Sequence, residues 1–380
     1  MKILYDYQAF DIQRTGGVSN VFAMLTEEMK SLADVGIGFA STENLYMLNL
    51  GYPTKYYTLE RLIKEGKINP ELNVSDIDWK EVNQICSKNA ILRNDYDVFH
   101  PTHYSPYFVD YIKKPYVVTI HDLAFERLRD YIQYNEKMCL DDFENRRKIM
   151  SKASKVVAIS EATKKDIMEI YKVPEKKIDV VYNAYRELPE NYEYTKLSDL
   201  DFPYILYVGT RQGPLNYKCF IPFFNQIVPF LKEHKDFKLV CTSSKFTVFE
   251  KDMFRQYGLE DRVVNRYVDE DELNSLYHNA FCFVFPSEFE GFGLPILEAY
   301  KNDCPALLNN IPVFHEVAGD AGLYFDITDG KSLRDQLEGL YSITEEDRAG
   351  IILSQKTRLP MFTIKKMAED YYNVYKSVLK

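Results

Sequence analysis

Short apolar runs ending in small or polar residues alternate with longer stretches of helical period from the first residues to about residue 325, and that alternation leaves few folds open. Strands buried on both faces read as continuous apolar runs, and a parallel neighbour is reached only through a crossover of a dozen or more residues, usually a helix. Met1 to Tyr7, Val98 to His100, Tyr116 to His121, Lys155 to Ser160 and Ile178 to Val181 are the expected strands of one sheet. Tyr204 to Val208, Phe237 to Cys241, Val263 to Asn265, Ala280 to Phe285, Pro305 to Asn309 and Gly322 to Phe325 are those of a second. The pattern predicts an α/β chain with two doubly wound parallel sheets.

Between the two sets, Arg186 to Phe202 is rich in Pro, Asn, Glu, Asp and Tyr and has no clear period. It reads as a linker, with the boundary near residue 195, so that 1–195 and 196–361 form two domains. A chain of 380 residues also suits two cores better than one. Phe362 to Leu379 sets Ile364, Met367, Ala368, Tyr371, Tyr375 and Val378 on one helical face, which calls for a core to dock on. The 30 Tyr and 24 Phe exclude a disordered chain. A net charge of -10 excludes a protein built to grip nucleic acid, which needs concentrated basic surface. The six cysteines show no paired spacing and read as reduced, buried side chains. With no signal-like amino terminus and no apolar run of about 18 residues, the expected location is cytoplasmic, with contact at the inner face of a membrane allowed by the sequence.

The most informative stretch comes after the strand Ala280 to Phe285: Pro286-Ser287-Glu288-Phe289-Glu290-Gly291-Phe292-Gly293-Leu294-Pro295-Ile296-Leu297-Glu298-Ala299-Tyr300. Two glycines allow a close approach, and Pro295 suits the first turn of a helix whose amino end presents free N–H groups to an anion. Glu290 on the loop and Glu298, read as lying in the helix's first turn, flank that anion site. A carboxylate beside a phosphate is repelled unless it holds something else, and sugar hydroxyls are natural donors to it. For an isolated pair of glutamates, helix-dipole complement and a solvated loop residue would be the plainer reading.

The whole segment resembles the E-x7-E signature of the retaining glycosyltransferases of family 4. The resemblance implies a GT-B fold: two facing Rossmann-like domains, with the terminal helix 362–380 returning to the first. It implies that Glu290 holds the donor sugar and Glu298 the ribose, and that Gly291, Phe292, Gly293 and Leu294 line the diphosphate. Gly209, Arg211 and Lys218 are similar to the family's donor loop and cation pair, although Gln212 to Tyr217 separates the cations more widely than in many members. In the first domain, Gly16 and Gly17 after strand one are similar to the family's glycine loop, and His121 to its donor-sugar histidine. His103 and Arg14 are acceptor candidates. Residues 203–326 carry the resemblance most firmly.

The resemblance further implies a metal-independent hexosyl transfer from a nucleotide sugar to a glycan or lipid-linked hydroxyl, with retention and with Lys218, Arg211, Glu290 and His121 as the reacting set, in surface polysaccharide synthesis. No cofactor is implied, and two histidines around Pro101 make a poor metal site. Ser160 is expected to cap the helix after it. The alternatives are a sugar-nucleotide epimerase or hydrolase of the same architecture, and a non-catalytic GT-B subunit. The basic cluster Arg146, Arg147, Lys148, Lys152 and Lys155 reads either as a solvated helix face or as a contact for anionic lipid.

Overall fold

The computed structural model describes residues 1–65, 71, 73–128, 136–211 and 217–379. Residues 1–126, 136–184 and 364–379 belong to one unit, and 185–363 to a second. The division falls between Ala184 and Tyr185, ahead of residue 195, so the stretch read as a linker belongs to the second unit.

In the first unit β1 (Lys2–Tyr5), β2 (Asp34–Ile37), β3 (Val98–His100), β4 (Val117–Ile120), β5 (Lys155–Ala158) and β6 (Ile178–Val180) form two ribbons, β2-β1-β3 and β4-β5-β6. Every pairing is parallel, and a parallel bridge from Phe99 to Tyr116 connects the ribbons. The strand β2 was not expected from sequence. Its Asp34-Val35-Gly36-Ile37 makes no apolar run, because on the sheet edge Asp34 is exposed and the other three are only half-buried.

The second unit carries one parallel sheet of β7 (Tyr204–Tyr207), β8 (Lys238–Thr242), β9 (Val263–Arg266), β10 (Cys282–Phe285), β11 (Ala306–Asn309) and β12 (Leu323–Phe325), in the order β12-β11-β10-β7-β8-β9. Read from the β9 edge this is the 3-2-1-4-5-6 order of dinucleotide-binding sheets, whose direction of winding reverses between β7 and β10. A ligand crevice opens at such a reversal, beyond the carboxyl ends of the strands. The helix Phe220–Glu233 buries Phe220, Phe223, Phe224, Ile227, Phe230 and Leu231 in this unit's core.

The helix Ile364–Ser377 buries Met367, Ala368, Tyr371, Val374 and Tyr375 in the first unit, so the chain does return there. Its docking is specified by hydrogen bonds as well as apolar area. His100 Nδ1 meets Tyr375 Oη at 2.7 Å, and its Nε2 meets Thr119 Oγ1 at 2.9 Å. Tyr375 also meets Tyr5 at 3.0 Å, and Tyr371 meets Thr119 at 3.0 Å. With both ring nitrogens engaged, His100 is a structural residue, and burial pushes its pKa down to about 3.

An unfolded imidazole titrates near 6.5, so the stabilisation from neutral His100 is complete above that pH and falls as pH drops toward 3. Each such site steepens the acid loss by about 1.4 kcal/mol per pH unit. Urea unfolding at pH 7 and pH 5 should therefore show His100→Asn losing about 2 kcal/mol less across this interval than the wild type; equal losses would mean the ring is not held neutral.

Candidate active site

At the reversal between β7 and β10, a cation from one strand's loop meets a carboxylate from the other's. Lys218 Nζ lies 2.6 Å from Glu290 Oε1, with the side chains 23% and 14% exposed. The Glu288 N–H donates to the Tyr217 carbonyl at 2.8 Å, so backbone as well as side chains span the crevice. Gly209, at the end of β7, has φ 125°, and a Cβ built there meets nothing within 4 Å. That combination leaves backbone open to an approaching group.

The loop after β10 enters the helix Leu294–Lys301 through Gly293 at φ 108°, with Pro295 in the first turn. A Cβ on Gly293 would come within 3.1 Å of Ile296 and 3.2 Å of Phe314, so both sterics and backbone demand glycine here. The amino end of this helix carries the positive end of its dipole, although Pro295 has no N–H and the Ile296 N–H donates to the Gly293 carbonyl at 2.9 Å. Glu298 lies in the second turn, not the first as expected from sequence, because the helix starts only at Leu294. At 1.5 Å rise per residue it sits about 6 Å along the axis from that start. Its Oε2 accepts from Tyr277 Oη at 3.2 Å. Burial pushes the Glu298 carboxyl upward, against the pull of Lys301, and pushes Lys301 downward.

Arg211 is placed differently from the sequence expectation of a cation pair. Its Nε donates to Glu250 Oε1 at 2.9 Å, its Nη1 to the Thr242 carbonyl at 2.7 Å and its Nη2 to the Ser244 carbonyl. The guanidinium stacks over Phe246 at 4.6 Å, and the side chain is fully buried. Burial pushes Glu250 up, but hydrogen bonds from Thr247 and Arg211 outweigh it and leave the carboxyl below its usual range. All three guanidinium nitrogens are thus spent on fixing the loop after β7 to the end of β8 and to the helix Val248–Tyr257. Lys218 is the cation that faces Glu290.

The first unit has its own winding reversal, between β1 and β3. There Asp6, fully buried, accepts from Thr102 N at 2.8 Å, Thr102 Oγ1 at 2.7 Å, Gln8 Nε2 at 2.7 Å and Tyr107 Oη at 3.1 Å. Burial pushes Asp6 up, and the Thr102 and Gln8 hydrogen bonds oppose the shift. Gly16 and Gly17 begin the helix Gly17–Met29 as expected. The close approach at Gly16, however, is to Gln13: a Cβ would lie 2.5 Å from Gln13 Oε1, which caps the helix by accepting from Ser19 N at 3.0 Å. Arg14 is exposed and borders a cavity of about 260 Å³ with Thr42, Thr54, Lys55 and Tyr56.

His121 follows β4, is only 6% exposed, and its Nε2 is buried without a hydrogen-bond partner among the described residues. Burial, His103 and Arg146 together push it down to about 3, and burial and Arg146 push His103 down to about 4. Both rings are therefore neutral at physiological pH. Among the described residues no group of three or more His, Cys, Asp or Glu is arranged to hold a metal.

Residues 15–186 match the model of Glycosyltransferase Family 4, and residues 172–352 that of Glycosyl transferases group 1. Solved structures align over the whole chain. A glycosyltransferase from Rickettsia africae has a TM-score of 0.68 at 18% identity, over 100% of this chain and 98% of that one. HepE from Anabaena, in complex with UDP and glucose, has a TM-score of 0.68 at 15% identity, over 99% and 100%. The chain has the GT-B fold. Curated relatives include an O-antigen chain mannosyltransferase of Salmonella typhimurium, 29% identical over 50% of this chain and 52% of that one. O-antigen chain mannosyltransferase B of Escherichia coli is 27% identical over 62% of each chain. The matches thus span about half to three-fifths of those relatives' lengths.

The structure brings together Lys218 and Glu290, with Gly209 and the Gly291 to Leu294 turn on the same two strand ends. Glu298 stands one turn further along the same helix. His121, His103, Gly16, Gly17 and Arg14 belong to the first unit. The Ser160 cap is present, its Oγ accepting from Thr163 N at 3.0 Å. The basic cluster is not one surface: Lys148 and Lys152 pair with Asp110 and Lys155 with Asp179, while Arg146 is buried. Sequence reasoning passed over Asp6, whose only signal was a carboxylate at the end of an apolar strand, and Tyr277, which carried none.

Proposed function

We propose that this chain is a glycosyltransferase that moves a hexosyl group from a nucleoside-diphosphate sugar to a hydroxyl of a glycan or lipid-linked acceptor, with retention, in the synthesis of a surface polysaccharide. The observation that carries the reading is the Lys218–Glu290 pair across the β7/β10 reversal, beside the amino end of the helix Leu294–Lys301. In this reading Lys218 and the Gly291 to Leu294 amides take the diphosphate, where negative charge grows as the sugar departs. Glu290 accepts from sugar hydroxyls and Glu298 from the ribose. The leaving phosphate takes the acceptor proton on the same face, so no protein nucleophile is required. Neutral His121 contacts the donor sugar. Mannose is the first sugar to test, since two relatives are named mannosyltransferases.

Thermal shift across UDP, GDP, ADP and dTDP sugars tests the reading, because a bound donor raises the melting temperature by mass action. A shift with one donor that Lys218→Ala abolishes supports it, and a flat panel would sink it. Lys218 and the helix amides do the work of a divalent ion in this scheme, so turnover should survive EDTA. Activity lost in chelator and restored by Mg²⁺ or Mn²⁺ would overturn the metal-independent step.

A further inference from the structure

We propose that Arg146 is the positioning residue for His121, holding the peptide groups on both sides of the imidazole. Arg146 lies on the helix Glu136–Lys152 among exposed cations, yet it is 7% exposed. Its Nη1 donates to the Asp122 carbonyl at 3.0 Å and to both oxygens of Glu126 at 3.1 and 3.2 Å. Its guanidinium lies 4.4 Å from the Tyr104 ring centroid. The Tyr104 hydroxyl in turn accepts the His121 N–H at 2.9 Å. The amide entering His121 and the carbonyl one residue beyond it are thus anchored to one guanidinium, the first through Tyr104 and the second directly.

The opposite side of the clamp is equally fixed. Tyr171 Oη donates to Glu126 Oε1 at 2.5 Å and stacks on Phe143 at 4.8 Å, one turn before Arg146 on its helix. The Arg146 and Glu126 side chains are each 8% exposed. A buried ion pair of this kind contributes little net stability compared with apolar side chains of the same volume, and its best-supported use is to fix one arrangement. The planar guanidinium matters, because its Nη1 bonds the carboxylate and the carbonyl while its flat face covers the Tyr104 ring, a stacking surface that a compact ammonium lacks. The groups facing His121 and its anchors are His100, His103, Tyr104, Asp122, Glu126, Tyr171 and Arg146. Burial is the main reason both His121 and His103 stay uncharged, and the cation beside them adds to it.

The inference rests on the donor-sugar role read for His121, and a double-mutant cycle separates the two. With GDP-mannose as donor and nucleoside diphosphate release as readout, Arg146→Met should lower kcat about 10²-fold, the loss expected of a misplacement of about 1 Å. Donor KM should change far less. In a His121→Ala background the same substitution should change kcat less than about threefold. Multiplicative losses would overturn the proposal, whereas full activity of His121→Ala alone would remove the His121 reading. NMR titration of the unliganded full chain needs no substrate: the His121 imidazole should titrate at a higher pH in Arg146→Met than in the wild type, and an unchanged midpoint in the folded variant counts against the clamp. Should Arg146→Met fail to fold, Arg146→Lys decides, with wild-type kcat as the overturning result.

Discussion

Replacing Lys218 by alanine is expected to lower turnover about 10²- to 10³-fold, the loss seen when one preorganised group facing developing charge is removed, while leaving the fold intact. The Lys218–Glu290 pair retains contact with solvent, at 23% and 14% exposure, and pairs near a surface contribute about 0 to 1 kcal/mol to stability. The melting temperature without donor should accordingly move by little, while the donor-induced rise should disappear. Glu290→Gln keeps the shape and removes the charge, so it should reduce turnover with a smaller loss of donor binding. A Lys218→Ala protein that turns over normally would end the assignment of the β7/β10 crevice as the reacting centre.

Arg211→Ala should behave in the opposite way, with a large loss of stability. Removing one partner of a buried, hydrogen-bonded ion pair typically costs about 3 to 5 kcal/mol, and here Glu250 would lose its Arg211 partner while keeping its bonds from Thr247. For a unit of about 180 residues that is a fall of roughly 10 °C in melting temperature. Changing Arg211 to Met together with Glu250 to Leu should recover much of it, since apolar side chains of similar volume can replace such a pair. Calorimetry checks both. A variant that melts like the wild type but no longer binds donor would return Arg211 to direct contact with the diphosphate.

The difference between these two cations was not legible in the sequence. Arg211 follows a strand and a glycine just as a ligand-binding cation does, and its partner Glu250 stands 39 positions away on another helix. The same blindness affected Arg146-Arg147-Lys148, where three adjacent cations look alike although successive helical residues point about 100° apart and only the first turns inward. The strands, by contrast, were legible wherever both faces are buried, as in Val117 to Ile120 and Cys282 to Phe285, because burial on both faces forces an unbroken apolar run. The edge strand Asp34–Ile37 has no such requirement and left no trace. Glu290 and Lys218 were named through the resemblance of their segments to the motifs of family 4, which lie locally at strand ends.

The helix Ile364–Ser377 completes the first unit with residues that come after the whole of the second. A ribosome therefore releases an unfinished first half, its Tyr5, His100 and Thr119 still lacking the hydroxyls of Tyr371 and Tyr375, and spends roughly 10 to 40 s on the intervening segment at 5–20 residues per second. During that interval residues 185–363 can mature on their own, so the order of ripening runs against the order of synthesis, and clipping the chain near Thr363 would leave the earlier half open.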